Sequence, residues 1–519
     1  MVSNAFSGVP PLFSNLSKIL SGDVDFSHAG IDGHSVDGSP YSVRPQAVIY
    51  PKNTTDIKHV ISFSREYQMP LTVRGGGSAH TGGSLSDGLI LDMTRYFTRI
   101  RQVNMMEHTI TVDAGVTLNE LQEKLSMWNM EIPPLRGQYR EATVGGFVST
   151  KSATAASFYS GSIREWVEGV TIVVDTGEEH HIKEGITPSG RLLGIYQAVF
   201  PLLSEHGPTL RAARRDENDD ATGYYLWSTS IGPRQLLDEL VGSEGTLGII
   251  TSVTFRVTIA KKISSTVLLP LTVEMLSSSV DIAKHHRAEA LYMFDTTYRK
   301  LLEKLHPGTL PDTLEEASFY LMVTFRDNDE QTLTSRVSLF LRATSQDLTS
   351  HILGEKDAFS LSSYELVHDV LRTYSDGNHV VATVGEGIIV PKHSYTACIR
   401  MLDEELGKTG LLYVLTGFPG SGHVSVSTLM DPRSPSYEKD FFRYNENICS
   451  IVKNFEGGLS AVAGDGLEKS AYLGYVYNEA TLKVFSLIKK AWDPLAIFNP
   501  GKKTSLSLDY LRNHLRTNA

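Results

Sequence analysis

Apolar positions in the first half of the chain switch repeatedly between runs, which suit strands, and a three-to-four-residue spacing, which suits helices. Ala47-Val-Ile-Tyr50 predicts a short strand. Ile57, Val60, Ile61 and Tyr67 then recur near one helical face, with Asn53 or Thr54 placed as the cap. Leu71-Thr-Val73 predicts the next strand and runs directly into Arg74-Gly-Gly-Gly77. Gly88-Leu-Ile-Leu-Asp92 and Thr109-Ile-Thr-Val112 predict two more. Thr117-Leu-Asn-Glu120 has capping-box spacing and leads Leu118, Leu121, Leu125 and Trp128 at helical intervals. Val170-Thr-Ile-Val-Val174 reads as a buried strand ending in an Asp-Thr-Gly turn. Beyond about Val257, helical patterns alternate with strands as far as Thr416, and Pro500-Gly501 closes the last helix-rich stretch. The first 40 residues, rich in Ser, Gly, Asp and Pro, predict a loosely structured lead-in.

Length changes this picture: 519 residues exceed one ordinary core, so two domains are expected, with a boundary near Ala260. The formal net charge of −11 argues against nucleic acid or an anionic membrane surface as a partner, because both reward a basic face. Cys398 and Cys449 match no metal or redox spacing and read as two buried thiols. The N-terminus has neither a basic n-region nor a continuous apolar h-region, and no apolar run is long enough for a membrane span. The expectation is a soluble, intracellular, cytoplasmic protein, in which the sequons at Asn15 and Asn53 are fortuitous.

The densest punctuation is the stretch from Arg74 to Ser84, with five glycines in eleven residues directly after a strand. Glycine permits positive φ and close backbone approach, so successive N–H groups can converge on a diphosphate, although an elaborate surface turn has the same composition. It lacks the helix that follows the dinucleotide GxGxxG motif. Three further segments occur in order: Ala142-Thr-Val-Gly-Gly-Phe-Val-Ser149 with Ser160-Gly-Ser-Ile163; Thr222-Gly-Tyr224 with Gly242-Ser-Glu-Gly-Thr-Leu-Gly-Ile249; and Asp493-Pro-Leu-Ala-Ile-Phe-Asn-Pro-Gly-Lys502. Together the four resemble the flavin-contacting segments of the vanillyl-alcohol-oxidase superfamily, whose flavin domain is also called the PCMH fold. The similarity is strongest to the branch of D-lactate and glycolate dehydrogenases and alkylglycerone-phosphate synthases.

The resemblance implies an α+β protein: a two-part FAD-binding domain over residues 43–259, after a lead-in at 1–42. A substrate or cap domain with an antiparallel sheet covers 260–484, and 485–519 return to the flavin. It implies FAD held by Arg74, Gly75, Gly76, Gly77, Ser78, Ala79, His80 and Thr81 of the first loop, and by Thr143, Gly145, Gly146 and Ser149 of the second. Gly245, Thr246, Gly248, Ile249 and Ile250 would flank the adenosine half. Glu244 joins this set, or else accepts loop N–H groups without touching the cofactor, and Asn499 and Lys502 would reach the flavin ring edge. Relatives that tether FAD use a histidine after the first Gly-Gly pair; that position here is Ser78, so the cofactor is expected to be non-covalent, with His80 nearby.

Two landmarks of that branch are altered. Gly417 to Ser425 matches a histidine-rich metal and substrate segment, but Phe418 and Ser425 stand where relatives have histidines, so no metal is expected there; His423 remains. Gly457 to Lys469 matches the segment that carries the catalytic histidine, and here that residue is Ala463. His423 is the first candidate base, because imidazole titrates nearest neutrality, and Asp465 the second. A polar turn explains either one as well. Arg372 approximates a substrate-carboxylate arginine, although a helix-surface charge suits it better; Tyr374 and Glu386 are weaker candidates. The implied activity is oxidation of a C–OH group on a small-molecule substrate, with oxygen or another electron acceptor, and a homodimer is compatible. The alternatives are a berberine-bridge-like oxidase of a larger metabolite and a flavin-binding protein with lapsed catalysis.

Overall fold

The computed structural model describes residues 10–137, 141–215, 219–228, 232–311, 314–344, 351–353, 364–504 and 506–517. In the first half, Asp23–Asp25, Ala47–Tyr50, Leu89–Asp92 and Leu71–Arg74 lie side by side in that order. The last three strands are parallel, and the Asp23–Asp25 strand is antiparallel to its neighbour. The helix Thr54–Tyr67 makes the crossover between parallel strands, and the Asn53 side chain caps it by accepting the Asp56 N–H. A second, antiparallel sheet orders Ile100–Asn104, Thr109–Asp113, Ile249–Arg256, Val167–Val173 and Glu179–Lys183. The expected capping box forms at Thr117 and Glu120, at the start of the helix Leu118–Met127.

The second half is built on one antiparallel sheet of eight described strands. Its strands are apolar on both faces, and alternate residues enter different cores. Leu291 and Met293 point to a core with the helices Val273–His285, Glu330–Thr344, Tyr395–Gly407 and Tyr437–Asn454, while Tyr292 and Phe294 point to one with Thr296–Leu305 and Tyr364–Tyr374. Burial on both faces is why these strands read as continuous hydrophobic runs rather than alternation. Cys398 and Cys449 are free thiols buried in the first of these cores.

Two segments depart from expectation. The lead-in carries short helices at Ser14–Ile19 and His28–His34 and a paired strand, and it buries Phe13, Leu16 and Ile31. Each element contributes so few apolar residues that no periodicity shows in the sequence. Pro500-Gly501 is followed by one more helix, Leu508–His514, whose Leu511 packs in the second half alongside Tyr41 of the lead-in and the adjoining Val43. The chain also crosses back early. Leu473, Tyr477, Val484, Phe485, Ile488 and Trp492 already complete the core of the antiparallel sheet in the first half. Ile497 then accepts the Leu71 N–H at 2.8 Å, and Asn499 donates to the Leu71 carbonyl at 2.9 Å.

Candidate active site

The strand Leu71–Arg74 ends at the mouth of a cleft, and the glycine loop forms one wall. The second wall comes from Thr143, Gly145, Gly146 and Ser149, and the third from Glu244, Gly245, Gly248 and Ile250. Glycine is required where these walls meet. A Cβ on Gly76 would overlap the Glu141 carbonyl, and one on Gly145 would come within 2.8 Å of the Ala114 Cβ. Thr143 caps the short helix Val144–Thr150, its hydroxyl accepting the Gly146 N–H at 3.3 Å. Beneath the loop, the Arg74 guanidinium donates to the carbonyls of His34 and Val36, which fixes the loop from below.

The cleft fits a diphosphate-bearing cofactor. The N–H groups of Gly76, Gly77 and Ser78, half-buried in the wall, donate to no acceptor among the described residues. Buried or half-buried donors of this kind are satisfied in native proteins, and an anion is the partner that a converging set of N–H groups accommodates. At its other end the cleft is closed by Phe418, Val462 and Ala463 of the second half, with Ala153 and Ala155 beside them.

Of the residues expected to hold the cofactor, six do not line this cleft: His80, Thr81, Thr246, Ile249, Asn499 and Lys502. Thr81 donates through its hydroxyl to the Ala463 carbonyl at 3.0 Å, and Ile249 sits in the core under the parallel sheet. Asn499 is a crosslink: its amide donates to the carbonyls of Glu244 and Gly83, and its oxygen accepts from Thr72. Lys502 is buried, donates to the Leu85 carbonyl at 2.7 Å, and burial pushes its pKa down to about 8.

The candidates for proton transfer are also placed away from the cleft wall. Asp465 accepts from Gly223 N–H at 2.7 Å and from the Ser460 hydroxyl, and pairs with Lys503 Nζ at 3.0 Å. Glu244 accepts the N–H groups of Asp465 and Gly466 and meets the same Lys503 Nζ at 2.9 Å. Burial works against the Lys503 charge, but Asp465 and Glu244 outweigh it and hold its pKa above the ordinary value. This three-residue network locks the 464–466 turn, and sequence reasoning passed over Lys503 entirely. His423 is buried behind Phe418 with its ring stacked on the phenyl at 4.5 Å. Its Nδ1 accepts the Phe418 N–H at 3.1 Å, its Nε2 lies 3.2 Å from Ser425 Oγ, and burial, helped by Lys469, pushes its pKa down to about 3. Arg372 and Tyr374 are exposed on the helix Tyr364–Tyr374.

Immediately behind the wall, next to Ala79, three buried side chains converge: His80, His368 and Glu386. His368 Nε2 lies 2.6 Å from Glu386 Oε1, and His80 Nδ1 lies 3.4 Å from Oε2. Burial opposes the Glu386 charge, but His368 and His80 hold its carboxyl well below the usual carboxylate range. His368 was not singled out in the sequence, because a lone histidine on a helix far from the glycine loop carries no spacing signal.

Comparison with known proteins follows the same division. Residues 45–183 match the FAD binding domain family, and residues 261–503 match the C-terminal domain of FAD linked oxidases. The chain is 24% identical over 521 residues to D-2-hydroxyglutarate dehydrogenase of Escherichia coli (strain K12), covering 93% of this chain and 50% of that protein. It is 23% identical over 503 residues to D-lactate dehydrogenase of Anaerostipes hadrus, covering 93% and 94%. This chain therefore spans about half the length of the D-2-hydroxyglutarate dehydrogenases it matches. Among solved structures, p-cresol methylhydroxylase with substrate bound superposes with a TM-score of 0.70 at 13% identity, covering 96% of this chain and 97% of that one. An alkyldihydroxyacetonephosphate synthase superposes with a TM-score of 0.66 at 14% identity, covering 97% and 86%.

Proposed function

Because the chain belongs to the FAD-linked oxidoreductases of the PCMH type, with an FAD binding domain followed by an FAD-linked oxidase C-terminal domain, we propose that it oxidises a C–OH group of a small organic substrate. The observation that carries this reading is the cleft itself, glycine backbone from the first half at one end and Phe418, Val462 and Ala463 from the second half at the other. When bound, FAD supplies a two-electron acceptor for the hydride on the carbon that bears the hydroxyl. The chain's own residues position and exclude water: Phe418 and Val462 give the substrate an apolar contact surface, and the Thr81 hydroxyl pins Ala463 against it. Among the described lining residues the one carboxylate is Glu244, already committed to the 464–466 turn, and no histidine is among them. The cations of that wall are committed too, Arg74 to backbone carbonyls and Arg136 to Glu131 and Glu289. These features favour a neutral alcohol with apolar flanks over a hydroxy acid, and catalysis by positioning over catalysis by a strong base in the wall.

We infer that the cofactor is held without a covalent bond, because Ser78 offers no imidazole to the cleft. Purified protein is expected to be yellow and to release FAD into the supernatant on acid precipitation. Its flavin should bleach anaerobically with a member of a panel of phenolic alcohols, sugars and hydroxy acids. Flavin that stays with the pellet overturns the non-covalent reading, and colourless protein that cannot be reconstituted overturns the cofactor. Yellow protein that no alcohol bleaches would favour a flavin-binding protein with lapsed catalysis, the reading that Ala463 keeps in view.

A further inference from the structure

We propose that His80, His368 and Glu386 form a binding site for a divalent first-row transition ion, which clasps the glycine loop of the first half to the sheet of the second. The three side chains come from separate elements. His80 belongs to the loop after Leu71–Arg74, His368 to the helix Tyr364–Tyr374, and Glu386 to the turn between the strands Val380–Ala382 and Ile388–Ile389. All are buried, and one potential ligand atom from each lies within 4.8 Å of the others. Two imidazoles with a carboxylate are a donor set that zinc and non-haem iron accept, with coordination positions left over.

The spacing suits such an ion. Ligands about 2.1 Å from a tetrahedral centre are separated by about 3.4 Å. The distance between His80 Nδ1 and Glu386 Oε2 is 3.4 Å. The 2.6 Å contact between His368 Nε2 and Glu386 Oε1 is a hydrogen bond as the chain stands, and it would open by roughly 1 Å to reach the same separation.

Ring placement points the same way. The two imidazole rings lie with centroids 3.7 Å apart, close enough to share one ion. A divalent ion would engage a lone pair from each of the three residues at once. The carboxylate is already oriented for it. Ser427 donates its hydroxyl to Oε1, and Lys469 Nζ donates to the backbone carbonyl of Glu386, which fixes the turn. Outer partners of this kind are what aim a ligand at a metal. None of Phe418, Ser425 and Ala463 takes part. The site is nonetheless at the cleft: His80 follows Ala79 of the wall, and the Gly387 carbonyl accepts the N–H of Ala461, two residues before Ala463.

The test is metal uptake by the purified full chain, with whatever flavin it carries, after stripping with a chelator and reloading with zinc. Elemental analysis should return one zinc per chain, and zinc should raise the Tm. His368→Gln and Glu386→Gln should each weaken zinc binding in calorimetry by roughly a hundredfold, since each removes a ligand. Each should abolish the zinc-dependent rise in Tm. Circular dichroism of the zinc-free variants checks that they fold; should Glu386→Gln fail, His80→Gln leaves the carboxylate in place and must show the same loss. Substoichiometric uptake by the unmutated chain would reduce the trio to a hydrogen-bonded relay and overturn the proposal, as would unchanged affinity in the variants that fold. Neither readout depends on turnover, so the outcome is independent of the activity proposed above.

Discussion

His423 shows how one residue's chemistry is decided by what surrounds it. As a letter in a Gly-rich turn it has the pKa of a general base. In the fold its Nδ1 accepts a backbone N–H, its other nitrogen faces Ser425, and its ring stacks on Phe418. Burial and Lys469 push its pKa down to about 3, so the imidazole is neutral over the working range and a weak proton acceptor. His423→Gln can keep both hydrogen bonds. It is expected to leave the pH profile of flavin reduction unchanged between roughly pH 5 and 8, the range in which an ordinary imidazole titrates. Rapid-mixing measurements would show this, and loss of an ionisation limb in the variant would restore His423 to the mechanism. The same contrast separates what was legible at this scale. Ser78, Thr143 and Gly145 could be assigned to the cleft because the contact is made by local backbone, which the local motif specifies. Asn499 and Lys502 could not be placed, because which remote carbonyl an amide or ammonium reaches is settled only by packing.

Among the elements, the 464–466 turn depends on a buried charge balance rather than on its own glycines. Lys503 Nζ lies 2.9 Å from Glu244 and 3.0 Å from Asp465, with its side chain fully buried. Removing the shared cation leaves two carboxylates facing each other in the interior. Breaking a buried pair in this way costs about 3–5 kcal/mol. Lys503→Met, which keeps the length of the side chain, is therefore expected to lower stability by that order in denaturant melts and to loosen flavin retention, because Glu244 also forms part of the cleft wall. An unaltered melt would show that water or protonation replaces the lysine at little cost. Helices and strands with strong periodicity were legible, down to the caps at Asn53 and Thr117. The lead-in was not. Its short strand Asp23–Asp25 is defined by pairing with Ala47–Tyr50, a contact that composition does not encode.

At the scale of the whole molecule, the flavin half is not a contiguous piece of chain. The FAD binding domain match covers residues 45–183 and the second matched domain covers 261–503. The cores tell a different story. Trp492, Phe485, Ile488 and Val484 fill the interior between the helix Gly190–Glu205 and the antiparallel sheet, and Ile497 and Phe498 complete the core under the parallel one. Trp492 Nε1 also donates to the buried Glu239 at 2.9 Å. Large apolar residues deleted from a core cost about 3–5 kcal/mol each. Losing several at once exceeds the whole stability of a typical domain, about 5–15 kcal/mol. A fragment of residues 1–260 is therefore expected to be unfolded or molten and to purify without flavin, although it holds all three glycine segments. Joining 471–519 to it through a flexible linker should restore a cooperative melt, because those residues supply the missing core side chains and the Leu71 pairing. Retention of FAD should improve with it, through the 497–503 crosslinks to Glu244 and Gly83. Near-ultraviolet circular dichroism and flavin absorbance of the two purified fragments test this together. A yellow, cooperatively folding 1–260 fragment would show that the return segment only decorates a self-sufficient domain.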